Sequence, residues 1–91
     1  MGPYPGGNQS VLNFTAPTII KTTPGVLVTI SVLVAGSAAG TAYDNNNASV
    51  TSAESICAIP NTVGLIFPNW PCEVGIVIVP GTGQTLSVSY S

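Results

Sequence analysis

The sequence predicts an all-β domain, a small jelly-roll-like β-sandwich with an extended N-terminal arm. Three observations predict it. In residues 26–35, Val26, Val28, Ile30, Val32 and Val34 fall on one face with a period of two. Gly and Pro, 10 and 8 of the 91 residues, punctuate the chain between short apolar runs. No stretch shows the spacing of an amphipathic helix, so the core must be built by sheet on sheet.

Residues 1–15 read as an arm, and residues 16–91 as the sandwich. Two prolines and three glycines among the first seven residues preclude a helix there. Tyr4, Leu12 and Phe14 are the arm's apolar handles. It is either a frayed terminus or a segment docked on a neighbour, because Leu12 and Phe14 are poor residues to leave in water. Met1-Gly-Pro-Tyr-Pro-Gly-Gly7 has neither the basic nor the apolar region of a secretion signal.

Pro17-Thr-Ile-Ile-Lys-Thr22 reads as an edge strand, with Pro at its start and Lys21 as edge guard. Thr23-Pro24-Gly25 is a turn. The long strand of residues 26–35 follows, and its second face carries Leu27, Thr29, Ser31 and Leu33. Gly40-Thr-Ala-Tyr43 is a short strand and Asp44-Asn-Asn-Asn47 its turn. Thr51 and Glu54 have the spacing of a capping box, enough for one helical turn. Residues 56–59 form a strand stopped by Pro60, and Leu65-Ile-Phe67 another. Pro68-Asn-Trp-Pro-Cys72 is a rigid connection.

Residues 73–91 read as a β-hairpin turning at Pro80-Gly81-Thr82-Gly83, where Pro presets φ and either Gly supplies a positive one. Its second arm alternates Leu86, Val88 and Tyr90 against Ser87, Ser89 and Ser91. Its first arm, residues 74–79, is apolar on both faces. Such an arm needs cover on both sides, as a central strand or as a subunit contact through Val77 and Val79.

Charged residues are 4% of the chain, against roughly 25% in ordinary domains. They are Lys21, Asp44, Glu54 and Glu73. One cation cannot neutralise a phosphate backbone, so nucleic acid is excluded as a partner, and an anionic membrane surface with it. A surface this poor in charge resists self-association badly. It suits a subunit packed against copies of itself or against a larger body; the expectation is a homo-oligomer, with a trimer favoured.

The residues give little chemistry. There is no His, and the three acids lie far apart in the chain, which argues against general acid–base catalysis. Two Cys cannot fill a zinc tetrahedron. The Asp44–Asn47 run departs from a calcium loop and reads as an Asx-rich turn. The expectation is therefore a non-enzyme without metal or cofactor. Cys57 and Cys72 could close a loop of about 15 residues, worth roughly 3 kcal/mol, but with no export signal two buried thiols are expected instead. Trp70 has three readings in descending order: a cap on one end of the sandwich, a subunit contact, or part of a sugar platform with the tyrosines.

Five segments resemble a known group. They are Ala16-Pro-Thr-Ile-Ile-Lys-Thr-Thr-Pro-Gly25, Val32-Leu-Val-Ala-Gly-Ser37, Gly40-Thr-Ala-Tyr-Asp-Asn45, Ile59-Pro-Asn-Thr-Val-Gly64 and Pro71-Cys-Glu-Val-Gly-Ile-Val-Ile-Val-Pro-Gly-Thr-Gly-Gln84. Together they resemble small β-rich virion proteins of tailed bacteriophages. The resemblance implies a head decoration (cement) protein, made in the host bacterial cytoplasm and bound to the major capsid protein on the capsid surface, where it bridges capsomers. The alternative it implies is a fibre or tail-associated domain that binds host-surface glycans. It brings no catalytic residue. The candidate interface residues are Tyr4, Leu12, Phe14, Trp70, Val77 and Val79.

Overall fold

Strands alternating apolar with polar residues pair into sheets, and two such sheets bury their apolar faces against each other. The computed structural model describes residues 9–91, and within them this chain does so with nine strands: β1 (Gln9–Phe14), β2 (Thr18–Lys21), β3 (Gly25–Val34), β4 (Gly40–Tyr43), β5 (Ser55–Ile59), β6 (Gly64–Ile66), β7 (Trp70–Cys72), β8 (Ile76–Val79) and β9 (Thr85–Tyr90). One sheet runs β1-β9-β3-β6, with β7 continuing the β6 edge along β3. The other runs β2-β8-β4-β5. Every pairing is antiparallel. With β6 and β7 taken as one interrupted strand, the chain passes from sheet to sheet at every connection except β4–β5. That winding is a jelly roll, as the sequence predicts.

The core lies between the sheets. Leu27, Ile30, Val32, Leu86 and Val88 come from the first sheet, and Ile20, Ala42, Ile59, Ile76 and Ile78 from the second. Each large aliphatic side chain buried in full contributes about 1.5–3 kcal/mol.

The phase of β3 differs from the simple alternation. Leu27, expected on the outer face, is fully buried, whereas Val34 is exposed and Val26 and Val28 are half-buried. Against β9 the register skips a residue between Leu27 and Thr29 and again between Val32 and Val34. Each bulge shifts the strand's facing by one residue, which a strict period of two does not foresee.

The sandwich begins earlier in the chain than the expected residue 16. Gln9–Phe14 is β1, paired with β9 from Gln9↔Tyr90 to Phe14↔Leu86. Only residues 1–8, with Tyr4, lie outside the described residues. A bulge at Leu12–Asn13 lets Val11 and Phe14, three apart, both face inward. Asn13 takes the positive φ of 56°, which Asn tolerates well, and its N–H donates to Ser87 Oγ at 2.8 Å. Phe14 is thus half-buried at the edge of the core.

The expected hairpin is also replaced. β8 sits between β2 and β4, whereas β9 sits between β1 and β3 in the other sheet. Residues 80–84 cross the sandwich. A backbone bond from Gln84 N–H to the Gly81 carbonyl (3.0 Å) closes a turn one residue later than foreseen, with Gly83 at φ 80° as a type II turn requires. The strand apolar on both faces is a central strand, and the chain itself covers it. Val77 is only 1% exposed, flanked within its sheet by its register partners Ile19 and Tyr43. Val79 is half-buried. Val77 therefore offers nothing to a partner, and this strand no longer argues for one.

Candidate interaction surface

The strand order sorts the charges. Lys21 ends β2, Asp44 follows β4, Glu54 precedes β5 and Glu73 precedes β8. In an antiparallel sheet ordered β2-β8-β4-β5, all four positions fall at the same end of the sandwich. The opposite end carries the loops of residues 15–17, 35–39, 60–63 and 80–84, none with an ionisable side chain.

Two of the three carboxylates at the charged end, Asp44 and Glu54, are occupied in holding loops. Asp44 accepts hydrogen bonds from the backbone N–H groups of Glu73 (3.0 Å), Val74 (2.9 Å) and Gly75 (3.2 Å). Burial raises its pKa, but these three donors outweigh burial and hold it below the usual carboxylate value. Glu54 Oε1 accepts from the Thr51 N–H at 2.8 Å, the reach-back arm of the expected capping box, and Ser52–Glu54 is one turn of 3-10 helix. Glu54 Oε2 accepts from Asn45 Nδ2 at 3.0 Å. Asn45 is itself buried. The Asp44–Asn47 run is thus a self-bonded turn, as its composition predicts.

At the uncharged end the crossing turn is locked from within. Gln84 is fully buried. Its Oε1 accepts from the Gly81 N–H (2.7 Å) and its Nε2 donates to the Pro60 carbonyl (2.8 Å). Ser37 N–H donates to the Thr82 carbonyl at 2.8 Å. Three of the four loops are fastened together by these bonds, so this end is a firm, charge-free platform.

The outer face of the β1-β9-β3-β6 sheet carries two kinds of surface. Its centre is hydroxylic: Ser10, Ser89 and Thr29 lie in one cross-strand row, and Ser87 and Ser31 in the next. These residues and Leu12 line a shallow depression of about 170 Å³. Its β6 border is apolar. Leu65 pairs with Ser31, and Val63 and Phe67 continue the outward alternation on either side of it, with exposures of 68% for Val63, 58% for Leu65 and 64% for Phe67. Leu33, exposed on β3, stands beside Val63 one position beyond the Val32↔Gly64 pair. A bared ridge of this kind marks an interaction site more often than a scatter of single residues does.

Trp70 follows the ridge, past Asn69 at φ 46°. It does not sit in a rigid connection, as expected, but opens β7, in register with the core residue Leu27. It is 48% exposed and shares its face of the sheet with the buried Leu27 and Cys72, so it stands at the rim on the core side and not on the outer face with the ridge. Leu12 is exposed at the far border of the ridge's own face. Of the expected interface residues, then, Leu12 and Trp70 are accessible, Phe14 and Val79 are half-buried, and Val77 is closed off. Sequence reasoning missed Leu33, Val63, Leu65 and Phe67. The signal was available, because residues 63–67 are also apolar on both faces around Gly64.

The sheet edges are blunted. β1 carries its bulge, and β2 has Pro17, Lys21 and a register skip at Ile20. β5 skips at Ile56, and the β6–β7 edge is broken by Pro68, Asn69 and Pro71. Such devices oppose strand-to-strand extension. Contact with another protein must use side chains on a face or the loops at an end.

The two thiols are unbridged, Cys72 buried and Cys57 half-buried. Burial, then the charge of Asp44, pushes the Cys72 thiol up to about 11, and burial raises Cys57 as well. Both are protonated at neutral pH and poor nucleophiles. Comparison with protein-family models, with curated proteins and with solved structures finds no match to this chain.

Proposed function

We propose that this chain is a capsid decoration protein of a tailed bacteriophage, a homo-oligomer, with a trimer favoured, that binds the major capsid protein from outside and bridges capsomers. The observation that carries the reading is the segregation of charge. All four charged side chains sit at one end, which leaves a loop platform and a sheet face that can be covered without desolvating an ion. Burying an unpaired charge costs several kcal/mol, so an ion-free platform suits permanent contact. The sequence resemblance supports the same reading. Binding alone is its mechanism. A ligand of the assembled shell stabilises that shell by mass action, with no reaction required.

The glycan-binding alternative has less support. It needs free Asp and Asn groups beside Trp70, and Asp44 and Asn45 already spend theirs on backbone and Glu54.

Shells of the encoding phage, purified without this chain, test the reading. The chain should co-sediment with them and raise their disruption temperature. Ala38→Asp and Thr82→Asp, at the uncharged end, should abolish binding, while Glu73→Gln should not. Shells that take up no chain, or particles that carry none, overturn it.

A further inference from the structure

We infer that the ridge of Leu33, Val63, Leu65 and Phe67 is the surface through which copies of this chain bind one another. The inference rests on the decoration reading only for the presence of several copies side by side, and its test uses the free chain.

The occupant follows from charge and area. An average protein surface brings charged residues at about one in four positions, and each one set against this ridge would lose water without gaining a counter-ion. No side chain charged at neutral pH lies on β6 or β7, nor on the part of β3 that pairs with them. A second copy presenting the same ridge therefore adds no desolvated charge. Area permits the contact. A stable interface needs roughly 800 Å² from each partner. The sandwich is a slab with extents of 38 × 32 × 18 Å, so its broad side has room for that contact and still leaves the loop platform clear.

Geometry limits the mode. Pro68, Pro71 and the turned Asn69 prevent the β6–β7 edge from adding a neighbouring strand. The ridge side chains must interdigitate instead, with Phe67 as the aromatic anchor of the kind that carries most of the energy in such contacts. The hydroxyl rows of Ser31, Ser87 and Ser89 beside the ridge supply a polar rim.

Light scattering after size exclusion, and sedimentation equilibrium, test this on the full chain. The wild type should exceed the monomer mass of 9.2 kDa. Leu65→Ser combined with Phe67→Ser should raise the dissociation constant about 100-fold, with far-UV circular dichroism unchanged. Ile19→Ser, an exposed residue on the other sheet, should leave the mass unchanged. A wild type that stays at 9.2 kDa up to millimolar concentration overturns the proposal. So does a double variant that still associates, or dissociation by Ile19→Ser. If the double variant unfolds, radical labelling of wild-type Phe67 decides: at least fivefold protection on concentrating the sample supports the ridge, and equal labelling overturns it. A monomeric chain that still binds shells sinks this inference and the homo-oligomer part of the decoration reading, and leaves shell binding standing. An oligomer that ignores shells sinks only the decoration reading.

Discussion

Gln84 donates through Nε2 to the carbonyl of Pro60 at 2.8 Å, tying the β8–β9 crossing to the loop between β5 and β6. Its Oε1 meanwhile satisfies Gly81 N–H. Gln84→Leu keeps most of the volume but leaves a buried donor and a buried acceptor unpaired. The expected loss is about 2–4 kcal/mol, read as a lower urea midpoint at unchanged slope. Gln84→Glu at neutral pH should cost more, because a carboxylate offers Pro60 only a second acceptor. A loss below about 0.5 kcal/mol for Gln84→Leu would mean the side chain is not holding this junction.

Asp44 makes stability depend on acid. Its pKa is lowered in the fold by the N–H groups of Glu73, Val74 and Gly75 acting against burial. A carboxyl depressed on folding stabilises fully above its unfolded value of about 3.9 and loses that contribution as pH falls through the folded value. Melting temperature should therefore drop as pH is lowered from about 5 towards 2. Asp44→Asn should cost about 1–2 kcal/mol at pH 7 and flatten most of that acid slope. A variant with the wild-type slope would show that another group drives it.

Much of the strand content was legible, and for a definite reason. β2, β3, β4 and β5 are bounded by Pro, Gly or Asx turns that act on the chain locally. What stayed hidden was long-range. The sheet to which β9 belongs depends on whether the chain folds back or crosses over, and a Pro-Gly-Thr-Gly turn permits both. The crossing is decided by Gln84 and by the loop at Ala38, far away in sequence. Bulges at Leu12–Asn13 and Val28 are equally silent, because they show only against a partner strand, and they moved Phe14 and Leu27 inward. Of the surface, Leu12 and Trp70 were found by their size. The Val63–Leu65–Phe67 ridge was passed over because a short apolar alternation reads as core until its outer face is seen to be bare.

The thiols give an alkaline counterpart to Asp44. Cys72 is pushed up to about 11 by burial, with the Asp44 charge next, and its Sγ lies 3.6 Å from the Trp70 carbonyl. A group whose pKa rises on folding stabilises fully below its unfolded value and loses that contribution as pH climbs through the folded one. Stability should fall from about pH 9 towards 11, less steeply in Cys72→Ala. At pH 7.5 iodoacetamide should label the folded chain far more slowly than the urea-unfolded chain, with Cys57 reacting before Cys72. Equal rates in the two states would show that the thiols are not enclosed.

Two glycines of the crossing turn should respond to alanine for different reasons and by different amounts. Gly83 has φ 80°, and an added Cβ would meet only ordinary van der Waals contacts, Gly36 Cα at 3.4 Å and Ser37 N at 3.9 Å, so Gly83→Ala meets mainly a backbone penalty of about 1 kcal/mol. Gly81 is limited by contact: a Cβ there would lie 2.0 Å from the Ala38 carbonyl oxygen. Backbone has to move to admit it, and the Gln84 bond to Gly81 N–H moves with it. Gly81→Ala should therefore cost about 3 kcal/mol or more, and combining it with Gln84→Leu should be clearly less than additive, since both loosen one junction. Chemical denaturation of the four proteins in that cycle measures the coupling. Full additivity would separate the glycine's packing from the glutamine's bonds and break the account of a single locked crossing.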